Sequence, residues 1–164
     1  MHAALKPLAA VLRLNTDLLL NCLDGLSEEE ALRPPPGRGN HAAFLATHLA
    51  DTRHFLAGYL ERPLPNPLTP YLADARSVNQ VETLPPLDSL REAWIAASRH
   101  LDAALDTLPA AVLTSVSPER FPIEDVTRLG GTAFLVQHDS YHVGQRGLVR
   151  RWLGHPPVRY TRRP

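Results

Sequence analysis

Four stretches of the sequence place apolar residues at steps of three and four, and stretches rich in proline or glycine separate them. This spacing puts the apolar residues on one face of a helix and predicts four helices of about 20 residues each. Their expected ranges are 4–23, 41–60, 90–108 and 132–153. No stretch shows the sustained alternation of β-branched residues that predicts a strand. We therefore expect an all-α protein, a four-helix bundle with long loops between helices 2 and 3 (62–86) and between helices 3 and 4 (109–130).

Local signals indicate where these helices begin. Asn40 and Asp88 are the expected N-caps of the second and third helices, because their side chains accept hydrogen bonds from free backbone N–H groups. The segment Ser27–Glu30 has the pattern of a capping box, which opens one short helical turn. A short helix is also expected around Leu68–Ala75, within the first long loop. Gly130-Gly131 is expected to form the turn that precedes the fourth helix.

The length of 164 residues is typical of one domain, so we expect residues 1–164 to form a single unit with a flexible basic tail from about 155 to 164. The formal net charge is zero, which gives no overall attraction to nucleic acids or membranes. Residues 146–164 nevertheless hold six arginines and no acidic residue. Arg146 and Arg150 form the expected patch there, which either attracts an anionic ligand or is simply solvated. Solvation is favoured, and we expect no nucleic-acid and no membrane partner.

Cys22 is the only cysteine in the sequence, so an internal disulfide is impossible and a reducing compartment fits best. It lies in an apolar helical pattern, which favours a small buried side chain over a nucleophile. No run reaches the roughly 18 apolar residues that a membrane-spanning helix needs, and no signal-peptide pattern is seen. We therefore expect a cytoplasmic protein.

Three of the eight histidines form a candidate metal site. His138 and His142 are four residues apart, so both imidazoles lie on one helix face and can reach one ion. His48 lies on a stripe of the second helix with Phe44 and Phe55, and the two stripes are expected to face each other. Three such imidazoles satisfy one another poorly as hydrogen-bonding groups, whereas a divalent cation uses all three lone pairs. The alternative, three separate histidines bonded to carbonyls or half exposed, stays open on spacing alone.

The segments around these histidines resemble the DinB/YfiT-like family of metal-binding four-helix bundles. The family's last helix, with His-x-x-x-His followed by Gly-Gln, is similar to LVQHDSYHVGQRGLVRR, and its second helix is similar to NHAAFLATHLADTRHFL. The connection LSEEEALRPPPGRGN also resembles the one between the family's first two helices. The resemblance implies that His48, His138 and His142 are the ligands of a divalent metal ion, which can be zinc, nickel, iron or manganese. It also implies a homodimer.

The same resemblance suggests two kinds of function. Some family members look like thiol S-transferases that use a low-molecular-weight thiol such as bacillithiol, mycothiol or glutathione. This implies a metal-dependent transferase that binds a small molecule or such a thiol. A water bound at the open position of the ion would instead make the protein a metal-dependent hydrolase. The alternative is a non-catalytic bundle that binds metal or has a structural or stress-related role.

Four more residues lie close in sequence to the three histidines, and each has an expected role or position. Asp51 and Gln145 each follow one of these histidines by three residues, and both are candidates to accept a hydrogen bond from its second ring nitrogen. The alternative is that Asp51 is a surface acid and Gln145 a polar core residue. Tyr141 either donates a proton or fills the core, and core filling is favoured. Asp139 is expected at the periphery, because it lies about 100° around the helix from its neighbour His138.

Overall fold

The computed structural model describes residues 1–37, 39–72, 81 and 83–161. In these ranges the chain forms seven helices and no strand beyond an isolated bridge between Val116 and Thr127, so the all-α prediction is confirmed. In chain order the helices are α1 (Leu5–Leu23), α2 (Glu28–Leu32), α3 (Ala42–Tyr59), α4 (Thr69–Leu72), α5 (Leu87–Thr107), α6 (Ala110–Thr114) and α7 (Arg128–Trp152).

Four of these helices are long, with 19 residues in α1, 18 in α3, 21 in α5 and 25 in α7. Both α1 and α3 pack against α5 and also against α7. The short helices α2, α4 and α6 lie in the connections between the long ones. Among the described residues, no helix is both long enough and apolar enough to span a membrane.

The core contains two apolar clusters, one toward each end of the long helices. The first cluster draws on the C-terminal halves of α1 and α7 and on the N-terminal halves of α3 and α5. The second draws on the opposite half of each helix. It follows that α1 and α7 run in one direction, and α3 and α5 in the other. A parallel pair such as α3 and α5 needs a long connection, which explains the length of the segment between them.

A layer of buried polar side chains lies between the two apolar clusters and is centred on Arg53 of α3. The Arg53 guanidinium donates to the Asp139 carboxylate of α7 at 2.9 Å and to the hydroxyls of Thr16 and Ser98 at 2.8 and 2.7 Å. Its Nη2 also donates to the carbonyl of Leu12 at 2.9 Å. Each of the four long helices contributes to this network, which we call the Arg53 layer.

The buried stripe of α7 is rotated from the face of His138 and His142, which was expected to point inward toward α3. Its members include Leu135, Val136, Asp139, Val143, Arg146 and Val149. The prediction of a peripheral Asp139 is therefore wrong, since this side chain is only 2% exposed and pairs with Arg53. Arg146 is also buried rather than part of a surface patch, and its Nη1 donates to the carbonyl of Ala42 at 2.9 Å.

Two predicted N-caps are wrong. In α3 the cap is His41 instead of Asn40, and the His41 Nδ1 accepts a hydrogen bond from the backbone N–H of Phe44 at 3.2 Å. In α5 the helix begins at Leu87, so Asp88 lies inside the first turn. Asp88 still places a negative charge near the positive end of the helix dipole, which is favourable there.

The start of α7 lies four residues before the predicted one, with Thr127 as its N-cap. Gly130-Gly131, predicted as a turn, is therefore part of the first turn of the helix. A Cβ at Gly131 would overlap the Tyr59 hydroxyl and lie 2.7 Å from Phe121 Cε2. The N-terminus of α7 thus rests directly on the end of α3, which fixes the height of the two helices relative to each other.

The connections contain more helix than predicted. The capping box is confirmed at α2, where the Ser27 hydroxyl accepts from the Glu30 N–H and the Glu30 carboxylate accepts from the Ser27 N–H. The helix expected at Leu68–Ala75 is represented by α4, while residues 73–75 lie outside the described residues. The second long loop is interrupted by α6.

The chain after α7 returns along the end of α1. The Asn21 side-chain amide donates to the carbonyls of Arg159 and Thr161 at 3.0 and 3.3 Å. Arg150 donates to the Cys22 carbonyl at 3.3 Å and so helps to satisfy the C-terminal end of α1. Cys22 is buried, as predicted, and burial raises the pKa of its thiol. Residues 162–164 lie outside the described ranges, and flexibility of the tail stays a prediction.

Candidate metal centre

Three imidazoles meet where the middle of α3 packs against the middle of α7. His48 lies on α3, and His138 and His142 lie on successive turns of α7. The Nε2 atom of His138 is 3.3 Å from Nε2 of His48 and 3.1 Å from Nε2 of His142. One ring nitrogen from each of the three residues lies within 4.8 Å of the others. The structure therefore brings the three predicted ligands together around a common point.

These separations fit a first-row divalent ion. Nitrogen ligands at about 2.0–2.1 Å from an ion are about 3.3 Å apart in tetrahedral geometry and about 2.9 Å apart at right angles in octahedral geometry. The observed Nε2 separations of 3.1 and 3.3 Å fall within this range. Three imidazoles also leave at least one coordination position open, as in catalytic rather than structural zinc sites.

The electrostatic environment keeps two of the rings neutral. Burial, followed by the charges of His142 and His138, lowers the pKa of His48 to about 4. Burial and then His142 lower the pKa of His138 to about 4 as well. Neutral rings present lone pairs, and among the described residues no carboxylate joins the cluster to balance a proton on it. Such a set of lone pairs suits a divalent cation.

Gln145 fixes the orientation of the His142 ring. Its Oε1 lies 2.7 Å from His142 Nδ1, a contact in which Nδ1 donates its hydrogen to the amide oxygen. The lone pair of that ring is then at Nε2, the atom that faces the centre. The Gln145 Nε2 in turn donates to the Tyr141 hydroxyl at 3.0 Å. Gln145 therefore has the geometry predicted for it, that of an acceptor for the second ring nitrogen of His142.

Aromatic rings enclose the centre on three sides. Phe44 stacks on His48 with 6.2 Å between ring centroids, and Phe134 lies 6.4 Å from His138. Tyr141 meets His142 edge to face at 5.1 Å. The three histidines are half buried, while Tyr141 is 57% exposed, so the predicted core role of Tyr141 is wrong. The centre thus lies in an aromatic recess at the protein surface.

Asp51, the candidate acceptor for a hydrogen bond from His48, makes a different contact. Its carboxylate accepts a hydrogen bond from the Asn66 side chain at 2.6 Å. Burial raises the pKa of this carboxyl, and the Asn66 bond opposes that rise. Asp51 therefore ties the connection after α3 to the helix that carries His48, and its predicted bond to His48 stays a prediction.

The Arg53–Asp139 pair is the functional feature that the sequence analysis missed. Asp139 directly follows His138 on α7, and Arg53 is one and a half turns beyond His48 on α3. The pair joins α3 to α7 at the level where their histidines meet, so it holds the two histidine-bearing helices in register. The sequence did hold a signal for this pair, because Arg53 and Asp139 are oppositely charged residues within two otherwise apolar helical patterns.

A cavity of about 370 Å³ adjoins the centre on the side of the α2–α3 connection. Its walls are formed by that connection, α3 and α7, and they comprise Pro35, Pro36, Gly39, Asn40, Leu45, Gln145, Leu148, Val149 and Trp152. Gln145 belongs both to this wall and to the hydrogen bond with His142. The cavity and the histidine cluster are therefore neighbours.

Comparison with known proteins agrees with this architecture. The sequence profile of the DinB superfamily matches residues 12–146, which include all three histidines. No curated protein matches the chain. A crystal structure of a conserved protein from Enterococcus faecalis has a similar fold, with a TM-score of 0.74 and 17% sequence identity. The similarity covers 93% of this chain and 98% of that one.

Proposed function

The chain belongs to the DinB superfamily, and on that basis we propose that it binds a divalent metal ion through His48, His138 and His142 and transfers a low-molecular-weight thiol. The observation that carries the proposal is the meeting of three ring nitrogens, with the two His138 Nε2 separations at 3.1 and 3.3 Å. We also assign the four-helix-bundle architecture, which the packing of α1 and α3 against α5 and α7 supports.

The donor set narrows the choice of metal to first-row ions. Zinc, nickel, iron and manganese all accept imidazole, and a site made only of neutral nitrogens gives no strong preference among them. Three neutral ligands leave the full double charge of the ion in place, which strengthens its effect on a fourth ligand.

A bound divalent ion would supply Lewis acidity, which deprotonates a coordinated thiol outright and lowers the pKa of a coordinated water only toward neutral. Hydrolysis by such a centre is usually helped by a carboxylate base. Here Asp51 is hydrogen-bonded to Asn66, and Asp139 is paired with Arg53. Because both flanking carboxylates are engaged, thiol transfer is favoured over hydrolysis.

The surrounding residues have supporting roles in this proposal. Gln145 holds the His142 ring with Nε2 toward the centre, and Phe44 and Phe134 limit the access of water. The thiol releases its proton to solvent, its sulfur forms a bond to an electrophilic carbon, and the leaving group departs with the electron pair of the broken bond. Exposure of Tyr141 leaves one side of the recess open to both reactants.

The test begins with elemental analysis of protein purified without added metal. Near-stoichiometric metal is expected in the native chain and in the control His155→Ala, and none in His138→Ala/His142→Ala. Conjugation of glutathione, bacillithiol and mycothiol to chlorodinitrobenzene is then followed with and without the metal. Metal binding without any conjugation would favour the non-catalytic alternative. No metal after incubation with zinc, nickel or manganese would overturn the whole proposal.

We further propose that the chain is a homodimer, and the outer face of α1 and α7 supports this. This face has a cavity of about 320 Å³ with small residues such as Gly144 and Gly147 in its wall. Val11, Leu14 and Tyr160 line it and are 37%, 36% and 77% exposed. Sedimentation equilibrium should give twice the monomer mass, and Leu14→Glu should shift it toward the monomer. A monomer for the native chain would overturn the dimer alone.

A further inference from the structure

The cavity beside the histidine cluster has the position of a second-substrate site. Leu45, in its wall, lies one helical turn before His48 on α3, and Gln145, also in its wall, lies one turn after His142 on α7. The cavity therefore lies between the same two helices as the histidine cluster, about one turn away and toward the α2–α3 connection. A molecule that fills it would have one end at Gln145, whose oxygen is bonded to a ligand histidine.

The chemistry of the wall indicates the class of molecule. None of the described residues that line the cavity carries a charge, and only Asn40 and Gln145 offer polar side chains. The other lining residues are apolar or glycine. Leu148 and Trp152, in the wall, are 72% and 39% exposed, so apolar surface continues to the rim. Apolar walls with a few polar groups are typical of small-molecule sites, whose volumes are about 300–1,000 Å³.

From the shared residue Gln145 and the lack of charge among the described lining residues, we propose that the cavity binds the apolar body of an uncharged, aromatic or aliphatic electrophile, whose reactive end extends past Gln145 toward the histidine centre. That the bound molecule takes part in a reaction rests on the proposed thiol transfer. That the cavity binds it rests on the cavity alone. A charged body is disfavoured because removal of its hydration would meet no compensating charge among the described lining residues. Asn40 is left to bond to one polar group of the ligand, together with the second hydrogen of the Gln145 amide, whose first is donated to Tyr141.

The binding test uses two probes of equal shape, para-phenylbenzamide and its anionic counterpart para-phenylbenzoate. Calorimetric titration of the metal-free protein should show the amide binding at least tenfold more tightly than the benzoate. Leu148→Glu should weaken binding of the amide at least tenfold, because it places a charge in the wall. Val116→Glu is the matched control, since Val116 is 75% exposed and lies outside this wall. Its affinity should stay within twofold of the native chain.

Two outcomes would overturn the cavity assignment: equal or tighter binding of the benzoate, or unchanged affinity in Leu148→Glu. Tryptophan fluorescence gives a second readout, because Trp152 lies in the wall while Trp94 is fully buried. The amide should change the native emission but leave the emission of Trp152→Phe unaltered.

Proximity to the centre is tested separately with Mn²⁺, whose unpaired electrons broaden nearby proton resonances. The amide protons of the probe should broaden in Mn²⁺-loaded native protein and stay sharp in His138→Ala/His142→Ala. Sharp lines in a protein shown to hold Mn²⁺ would disprove the link between cavity and centre. If neither protein holds metal while the amide still binds, the thiol-transfer proposal fails and the cavity assignment survives.

Discussion

Two polar clusters lie at the same level of the helix bundle, and they differ in completeness. In the Arg53 layer, a buried guanidinium meets a carboxylate, two hydroxyls and a carbonyl at 2.7–2.9 Å. In the histidine cluster, neutral nitrogens meet one another at 3.1 and 3.3 Å, and among the described residues no carboxylate joins them. One cluster is satisfied by its own side chains, whereas the other presents lone pairs that suit a divalent cation.

The difference separates a structural role from a binding role. A buried polar network that satisfies all its members rigidifies a core. A group that is left incomplete raises the energy of the protein until a ligand completes it, and functional sites are where such exceptions occur. The comparison therefore predicts that damage to the Arg53 layer affects stability, and that damage to the histidine cluster affects metal binding.

The largest effect is expected from Asp139→Asn. It leaves the Arg53 charge buried without a counter-charge, which should lower the free energy of unfolding by about 3–5 kcal/mol. Urea unfolding of the metal-free protein measures this change. The control is Asp102→Asn, which breaks the Arg13–Asp102 pair, whose side chains are 53% and 45% exposed. An exposed pair of this kind is worth about 0–1 kcal/mol. Equal losses of unfolding free energy in the two variants would show that the Arg53 layer has no special structural role.

The second effect concerns metal at the histidine cluster. At a free metal concentration about a hundred times Kd, binding should raise the free energy of unfolding of the native chain by about 2.7 kcal/mol. The gain should vanish in His138→Ala, whose metal-free stability should stay close to native or rise, since it removes a poorly satisfied ring. Thermal unfolding with and without metal measures both values. A large loss of stability in metal-free His138→Ala would show that the cluster is structural.

A smaller effect is expected from Gln145→Leu. It removes the acceptor of His142 Nδ1, and loss of such an acceptor typically weakens metal affinity about 10–100-fold. Competition with a chromophoric chelator gives the affinity. Gln137→Leu is the matched control, because Gln137 is exposed on the same helix. If the two variants bind metal equally well, Gln145 does not position the ring.

The smallest effect is expected from Tyr141→Phe. The Tyr141 hydroxyl accepts from Gln145 Nε2, but it is on a side chain that is 57% exposed, so water can replace it. Metal affinity in the same chelator assay should change by less than about threefold. A loss of metal affinity as large as that of Gln145→Leu would show that the Tyr141 hydroxyl also helps to position the His142 ring.

The helices and the histidine cluster were largely predictable from the sequence. The α1 and α5 stripes are clear, since Leu12, Leu90, Trp94 and Leu101 recur at helical spacing and are all buried. The spacing of His138 and His142, with His48 on α3, correctly predicts three rings that meet. Apolar periodicity and a fixed i, i+4 geometry are local properties, so one sequence suffices for them.

The Arg53 layer was not predictable in the same way. Asp139 and Arg146 look like surface residues on α7, and this shifted the expected stripe away from the buried one. Their burial depends on partners that are distant in the chain, such as Arg53 for Asp139 and the Ala42 carbonyl for Arg146. Local periodicity cannot report a partner on another helix, so long-range pairing decides these positions.

The Arg53 layer also limits how the protein can move. Because one guanidinium contacts groups from α1, α5 and α7, no long helix can swing away without leaving a charge or a hydroxyl stranded in the interior. Partial opening of the bundle is therefore costly, and the long helices should exchange their amide hydrogens as a single cooperative unit. The walls that α3 and α7 contribute to the cavity, and the recess around the three histidines, should therefore keep their shape when small molecules enter and leave.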